Sequence, residues 1–211
     1  MTANQAKYDL RVDLLVSEQR WRIKDYCQKL HLHFNPFKYC SVPLFGNELS
    51  SLLLIDTDDL EILKLRVDKY LKPLCGLRPD WLEELALDHA VIRPRAPYFL
   101  WHSGRPKSQS SFQGKDLSGH SPLYYQSYGI NTMTPIEYCH YRIFSALYKD
   151  YSVDSDAATM FPNSCFGINN DYLYESGKSV PVLGNSNGQL LVDACYPVQS
   201  YPSLKVRAVS F

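Results

Sequence analysis

The chain has 211 residues, of which 45% are hydrophobic and 21% charged, a composition typical of a folded globular protein and unlike that of a disordered one. Lysine plus arginine equals aspartate plus glutamate at 22 each, so no whole-molecule charge draws the protein to nucleic acid or to an anionic membrane. A chain of this length buries well over half of its unfolded surface, and we expect a single compact domain over 1–211 that folds without disulfides or metal.

The distribution of cysteines and of apolar residues bears on the cellular compartment. The six cysteines form no C-x-x-C pair, and residues 1–10 lack the apolar run of a signal peptide. The longest apolar runs, 52–55 and 190–192, are far shorter than a membrane span. These features predict a cytoplasmic protein with no membrane segment.

The N-terminal half alternates predicted strands and helices. Apolar and polar residues alternate over 8–14, which predicts a half-buried strand, and a helix capped by Ser17 follows and ends before Asn35. Residues 50–56 predict a buried strand, and the acidic residues that follow it begin an amphipathic helix. A capping-box pattern predicts a short helix over 81–87, and the apolar run after Pro97 predicts a strand over 98–102.

The C-terminal half begins with a long stretch rich in Gly, Ser, Pro and Gln, which predicts an exposed loop over about 103–132. Thr134, Pro135 and Glu137 then combine a hydroxyl N-cap, a first-turn proline and a capping-box carboxylate, which together predict a helix over 135–149. Residues 180–194 predict a hairpin, and 204–211 alternates as a strand. The sequence therefore predicts an α+β fold with a mixed or mainly antiparallel sheet and three to four helices.

The predicted helix over 135–149 has two different faces. His140 lies on its apolar stripe, which favours a core histidine over a metal ligand. Tyr138, Tyr141 and Tyr148 lie on the opposite face. Either the preceding loop covers these rings or a partner contacts them, since tyrosine provides large contact area at low entropy cost.

Residues 93–149 contain seven bases and two acids among many aromatic residues. This mixture is typical of a protein interface and also of a platform for single-stranded nucleic acid. The leading hypothesis is a protein-binding or adaptor module that uses the 98–148 region, with a nucleic-acid-binding accessory protein that uses the 93–149 segment as an alternative. The candidate binding residues are Arg93, Arg95, Trp101, Arg105, Lys107, Tyr138, Tyr141 and Tyr148.

A second alternative is a small hydrolase or transferase. Cys165 lies in a small-residue turn over 163–167, where a thiolate can be activated by a nearby base, and His120 or His102 is the candidate base. The sequence contains no G-x-G-x-x-G, G-x-S-x-G or H-E-x-x-H motif, and it predicts neither a cofactor nor a metal. A protein partner is expected, and the oligomeric state is left open.

Overall fold

A computed structural model describes residues 3–43, 51–75, 81–87, 91–103, 111–112, 115–149, 153–154, 157–166 and 179–211. The helices in this part of the chain are α1 (Ala3–Lys29), α2 (Pro36–Tyr39), α3 (Leu60–Tyr70), α4 (Pro122–Ser127) and α5 (Pro135–Leu147). The strands are β1 (Ser51–Ile55), β2 (Leu74–Cys75), β3 (Leu85–Leu87), β4 (Tyr98–His102), β5 (Ser111–Phe112), β6 (Lys115–Asp116), β7 (Ala158–Met160), β8 (Ser164–Phe166), β9 (Val180–Ser186), β10 (Gln189–Cys195), β11 (Leu204–Lys205) and β12 (Val209–Ser210).

Two sheets form the framework. The first has the order β1-β4-β12 and is antiparallel throughout, and the second has the order β11-β7-β9-β10-β2. In the second sheet the inner pairs, β7 with β9 and β9 with β10, are antiparallel, while the outer strands β11 and β2 pair in parallel. The predicted α+β fold with a mixed sheet is therefore confirmed, although the described residues contain five helices instead of three to four.

Helix α5 runs between these two sheets. Its capping box forms as predicted: the Thr134 side chain accepts from the Glu137 backbone N–H at 3.2 Å, and the Glu137 carboxylate accepts from the Thr134 N–H at 2.7 Å. On one side the helix packs on β1 and α3, and on the other Arg142 donates to the carbonyl of Gly184 in β9. His140 is buried in the core, in agreement with the helical pattern.

A buried ionic cluster ties α5 to the second sheet. Asp154 accepts hydrogen bonds from the Tyr138 hydroxyl at 2.6 Å and from the Thr159 hydroxyl at 2.8 Å. It also pairs with Arg207 and, at 3.5 Å, with Lys205. A charge buried to this extent is tolerated only when it is paired and hydrogen-bonded, so these contacts hold α5, β7 and the C-terminal segment in one arrangement.

The strand predicted over 8–14 is wrong, because this segment lies inside α1. No glycine, proline or asparagine occurs between residues 5 and 34, so nothing interrupts the helix between the expected strand and the expected cap at Ser17. Leu14, which the strand pattern would half-bury, has 56% of its surface exposed.

Two other predictions are not confirmed. The helix over 81–87 is a turn followed by β3, which pairs with β8. The loop over about 103–132 is described only in part, and that part contains β5, β6 and the helix α4. Ser121 caps α4 by accepting from the Tyr124 backbone N–H, and Pro122 occupies its first turn.

The predicted hairpin is present as β9 and β10. The strands extend further than expected and leave a two-residue turn at Asn187 and Gly188, whose φ angles are +52° and +83°. Positive φ at both positions is the requirement of a type I′ turn, whose twist matches that of the flanking strands.

Candidate functional site

Most of the aromatic residues predicted to form a contact surface lie in the interior. Trp101 and Tyr138 have no exposed surface and Tyr141 has 8%. The Trp101 indole donates to the carbonyl of Pro43 at 2.9 Å, and the Tyr141 ring packs on His102 with centroids 4.9 Å apart. The prediction that Trp101, Tyr138 and Tyr141 contact a partner is therefore corrected: these rings fill the core.

Tyr148 has a structural role of a different kind. Its hydroxyl lies 2.8 Å from the carbonyl oxygen of Arg22 and 2.8 Å from the Asp25 carboxylate, and Lys29 lies over its ring at 4.3 Å. Burial raises the pKa of Tyr148 well above its ordinary value, and the bond to Asp25 raises it further. Tyr148 thus joins the end of α5 to α1 and is only partly available to a ligand.

Arg93 is not a surface base. Its Nε donates to the Glu137 carboxylate at 2.8 Å, Nη1 to Asn131 Oδ1 at 3.1 Å, and Nη2 to the Thr132 carbonyl at 2.7 Å. The guanidinium also lies over the Phe211 ring at 4.4 Å. Because its donors are bound inside the protein, the assignment of Arg93 to a charged contact surface is corrected to a structural clamp.

The other predicted bases remain open. Arg95 is exposed, in agreement with a surface role, whereas Arg105 and Lys107 lie outside the described residues. In the nucleic-acid alternative, Trp101 is therefore not available to stack on a base, and Arg93 is not available to contact a phosphate.

The three residues predicted to be catalytic lie on different elements. Cys165 is partly exposed in β8, opposite Ala86 of β3, while His102 lies in β4 of the first sheet. His120 precedes α4 and stacks on Tyr124 with ring centroids 4.0 Å apart. Burial, together with the charge of Arg207, lowers the pKa of His102 to about 3, which makes it a weak general base at neutral pH.

A half-open groove of about 450 Å³ lies beside the Arg93 clamp. Three segments form its walls: the extended chain at 91–93, the end of α4 with the residues that follow it, and the turn between β7 and β8. Its lining residues are Val91, Ile92, Arg93, Gln126, Gly129, Ile130, Asn131 and Asn163. We call this feature the amide groove, after its three amide side chains.

The C-terminus of α4 shapes one wall of the amide groove. The Ile130 N–H donates to the Tyr125 carbonyl at 3.1 Å, and the Gly129 N–H to the Gln126 carbonyl at 3.0 Å, which is the bond pattern of a Schellman motif. Gly129 has a φ of +62°, which favours glycine at this position. Ile130 and Tyr125 are both buried, so the turn is anchored where it directs Asn131 toward the groove.

A further wall of the groove is a four-residue turn. The Ser164 N–H donates to the Phe161 carbonyl at 2.9 Å, with Pro162 at the second position of the turn. Phe161 is fully buried and packs against Tyr138 with ring centroids 5.4 Å apart. Asn163 is therefore presented from a turn whose base is fixed in the core.

The three amides are partly bound by the protein and partly open. Gln126 Nε2 donates to a carbonyl in the 161–164 turn, Asn131 Oδ1 accepts from the clamp guanidinium, and Asn163 Nδ2 donates to Thr132 Oγ1 at 3.3 Å. Among the residues that the structure describes, the other amide group of each side chain, Gln126 Oε1, Asn131 Nδ2 and Asn163 Oδ1, has no hydrogen-bond partner. Two acceptors and one donor are thus held in fixed positions for a polar ligand.

The chain at 91–95 adds apolar surface and open backbone. Ile92 has 85% of its surface exposed. In the described part of the protein, no backbone hydrogen bond involves residues 91–95, although this stretch leads directly into β4. The groove therefore offers main-chain hydrogen-bonding groups, an aliphatic side chain and amide side chains together.

The sequence predictions missed Gln126, Asn131 and Asn163 as site residues. Single amides have no spacing that indicates a site, and these three come from segments that meet only in the folded protein. Two indirect signals were available. Gly129 indicates a helix end before Asn131, and Pro162-Asn163 indicates a turn before the strand β8.

Comparison of the chain with protein-family models, with curated proteins and with solved structures finds no match. Within the described residues, no helix has the length and apolar character to cross a membrane, and no group of three or more His, Cys, Asp or Glu side chains could hold a metal ion.

Proposed function

We propose that this protein is a binding module that holds an extended peptide segment of a partner protein in the amide groove. The observation that carries the proposal is the set of unpartnered amide groups on Gln126, Asn131 and Asn163, in a groove that residues 91–93 also line. An extended peptide presents alternating N–H and C=O groups, which pair with amide side chains and with an unpaired main chain.

The charge of the groove favours an uncharged contact. Among the described residues that line the groove, only Arg93 has an ionisable side chain, and its guanidinium is bound to Glu137, Asn131 and Thr132. Ile92 supplies apolar area for one side chain of the peptide. Arg95 is exposed two residues further on, so we expect a preference for an acidic residue toward that end of the peptide.

The test is a selection from immobilised peptides of random sequence, followed by fluorescence anisotropy titration of the peptide that binds most strongly. We expect Ile92→Asp and Asn163→Leu each to raise the Kd about tenfold, which corresponds to about 1.4 kcal/mol and is the size of one apolar or hydrogen-bonding contact. Arg95→Ala should weaken only peptides that carry an acidic residue.

Leu65→Asp is the matched control for Ile92→Asp. Leu65 lies on α3 with 70% of its surface exposed and does not line the groove. This variant should keep the wild-type Kd. If Ile92→Asp and Asn163→Leu bind the selected peptide as tightly as the control does, the amide groove is not the binding site and the proposal fails.

A further inference from the structure

A second cleft, of about 300 Å³, lies between α1, the edge strand β1 and α5. Gln19 of α1 accepts a hydrogen bond from the Leu52 backbone N–H at 2.5 Å, so α1 is fixed along the edge of the first sheet. The lining residues are Gln19, Arg22, Ile23, Ser51, Leu52, Leu53, His102, Tyr141, Phe144, Ser145 and Tyr148. We call this feature the ring cleft. It shares no lining residue with the amide groove.

Four planar side chains form much of the ring cleft. The rings of His102 and Tyr141 pack against each other with centroids 4.9 Å apart, and those of Phe144 and Tyr148 do the same at 4.9 Å. Each pair is held from behind, Tyr141 by burial in the core and Tyr148 by its hydroxyl contacts with α1. Rigid rings of this kind favour a flat, unsaturated ligand, which can stack on them at low entropy cost.

The charge around the ring cleft is positive. Among the lining residues that the structure describes, Arg22 alone is charged at neutral pH, and its guanidinium lies 5.9 Å from the centre of the Tyr148 ring. In the described part of the chain, no carboxylate lies within ion-pair distance of Arg22. The nearby Asp25 is instead paired with Lys29 at 2.7 Å. Below the floor, the Arg207 guanidinium lies 4.7 Å from the Tyr141 ring centre.

His102 does not add to this charge. Burial, with the Arg207 charge, lowers the pKa of its imidazole to about 3, so the ring is neutral under ordinary conditions. A neutral imidazole can stack on a flat ligand without repelling a cation or attracting an anion. The attraction for an anion is therefore concentrated at Arg22, whose side chain is exposed. The uncharged interior of the cleft selects a ligand by its shape.

We propose that the ring cleft binds a small planar anion of the aromatic carboxylate class, with the carboxylate on Arg22 and the ring system against the partly exposed Phe144 and Tyr148. The cleft volume is at the lower end of the range for small-molecule sites, which suits one or two fused rings. Guanidinium is the side-chain group that best matches a carboxylate, because its donors bind both oxygens. This site is independent of the amide groove.

The test uses 2-naphthoate as the probe, with 2-naphthamide as its uncharged analogue and cyclohexanecarboxylate as a non-planar acid. Titrations followed by ligand-observed and ¹⁵N-edited NMR should show 2-naphthoate binding about tenfold more tightly than either comparator. Amide resonances of residues that line the ring cleft should shift, and those of the amide groove should not.

Arg22→Gln should remove the preference for 2-naphthoate over 2-naphthamide, while Lys24→Gln should preserve it. Lys24 is exposed on the same helix and does not line the cleft, so the two variants lose the same charge and only one loses the contact. Equal affinity of wild type for the acid and the amide, or an unchanged preference in Arg22→Gln, would overturn the proposal. Ile92→Asp, which tests the amide groove, should leave naphthoate binding unchanged.

Discussion

At the scale of single residues, the fate of each predicted contact residue depends on partners far along the chain. Arg93 and Arg95 stand two positions apart in the same basic stretch, yet one is clamped inside and the other is exposed. The difference comes from Glu137, a carboxylate 44 positions away, whose buried charge requires a cation. Glu137 itself was correctly predicted as a cap residue, but its second role as the Arg93 partner has no local signal.

His102 allows a prediction at this scale. A histidine whose pKa is lowered to about 3 stays unprotonated in the folded state, whereas the unfolded chain binds a proton below about pH 6.5. This residue therefore contributes stability that is fully present above about pH 6.5 and is lost as the pH falls toward the folded value. Between about pH 7.5 and pH 5 the loss is about 2 kcal/mol.

Urea unfolding at both pH values measures this contribution. In His102→Phe, which keeps a planar ring, the fall in the free energy of unfolding should be about 2 kcal/mol smaller than in wild type. His31→Gln, in which an exposed histidine is replaced, is the control for the loss of an imidazole elsewhere in the chain. A His102→Phe variant with the same pH dependence as wild type would contradict the buried, neutral assignment.

At the scale of elements, α5 shows how a helical pattern can be read correctly and still mislead about exposure. The stripe that contains His140 is buried as predicted, and two tyrosines of the other face are buried too, because the Asp154 cluster covers Tyr138 and His102 of the first sheet packs on Tyr141. A helical wheel drawn from the sequence separates two faces of a helix. It does not reveal whether a second layer of structure covers the more polar face.

The tyrosine face leads to a second prediction. Tyr141→Ala should lower the free energy of unfolding by about 3–5 kcal/mol, the usual cost of removing a large buried ring, because the ring packs on His102 and Arg207. Tyr39→Ala is the control: this ring is 68% exposed on α2, and its loss should cost less than about 0.5 kcal/mol. Equal losses in the two variants would show that Tyr141 is a surface residue after all.

At the scale of the whole molecule, three described cysteines on three different elements lie in the interior: Cys27 of α1, Cys139 of α5 and Cys195 of β10. Burial raises the pKa of Cys27 to about 11 and those of Cys139 and Cys195 to about 12, so these thiols are poor nucleophiles. Cys40 and Cys165 are partly exposed. The cysteines whose side chains the structure describes therefore fall into two classes, buried thiols with raised pKa values and partly exposed thiols.

Iodoacetamide labelling at neutral pH should follow this division. We expect the partly exposed Cys40 and Cys165 to react first, and Cys27, Cys139 and Cys195 to react only when the protein unfolds. Mass spectrometry of peptides from a time course gives each rate, and Cys40 is the internal reference for Cys165. A Cys165 rate more than about a hundredfold above that of Cys40 would contradict this expectation and would support the hydrolase or transferase hypothesis instead.

What the sequence by itself determined is local: the capping box of α5, the acidic start of α3, and the β9–β10 hairpin. Each depends on hydrogen bonds or backbone preferences among residues a few positions apart, and those are visible in a single chain. The tertiary structure decided the rest, namely the burial of Trp101, the Arg93 clamp and the meeting of three amides in one groove. These depend on which distant segments pack together, and that choice follows from the burial of the whole core and not from any short pattern.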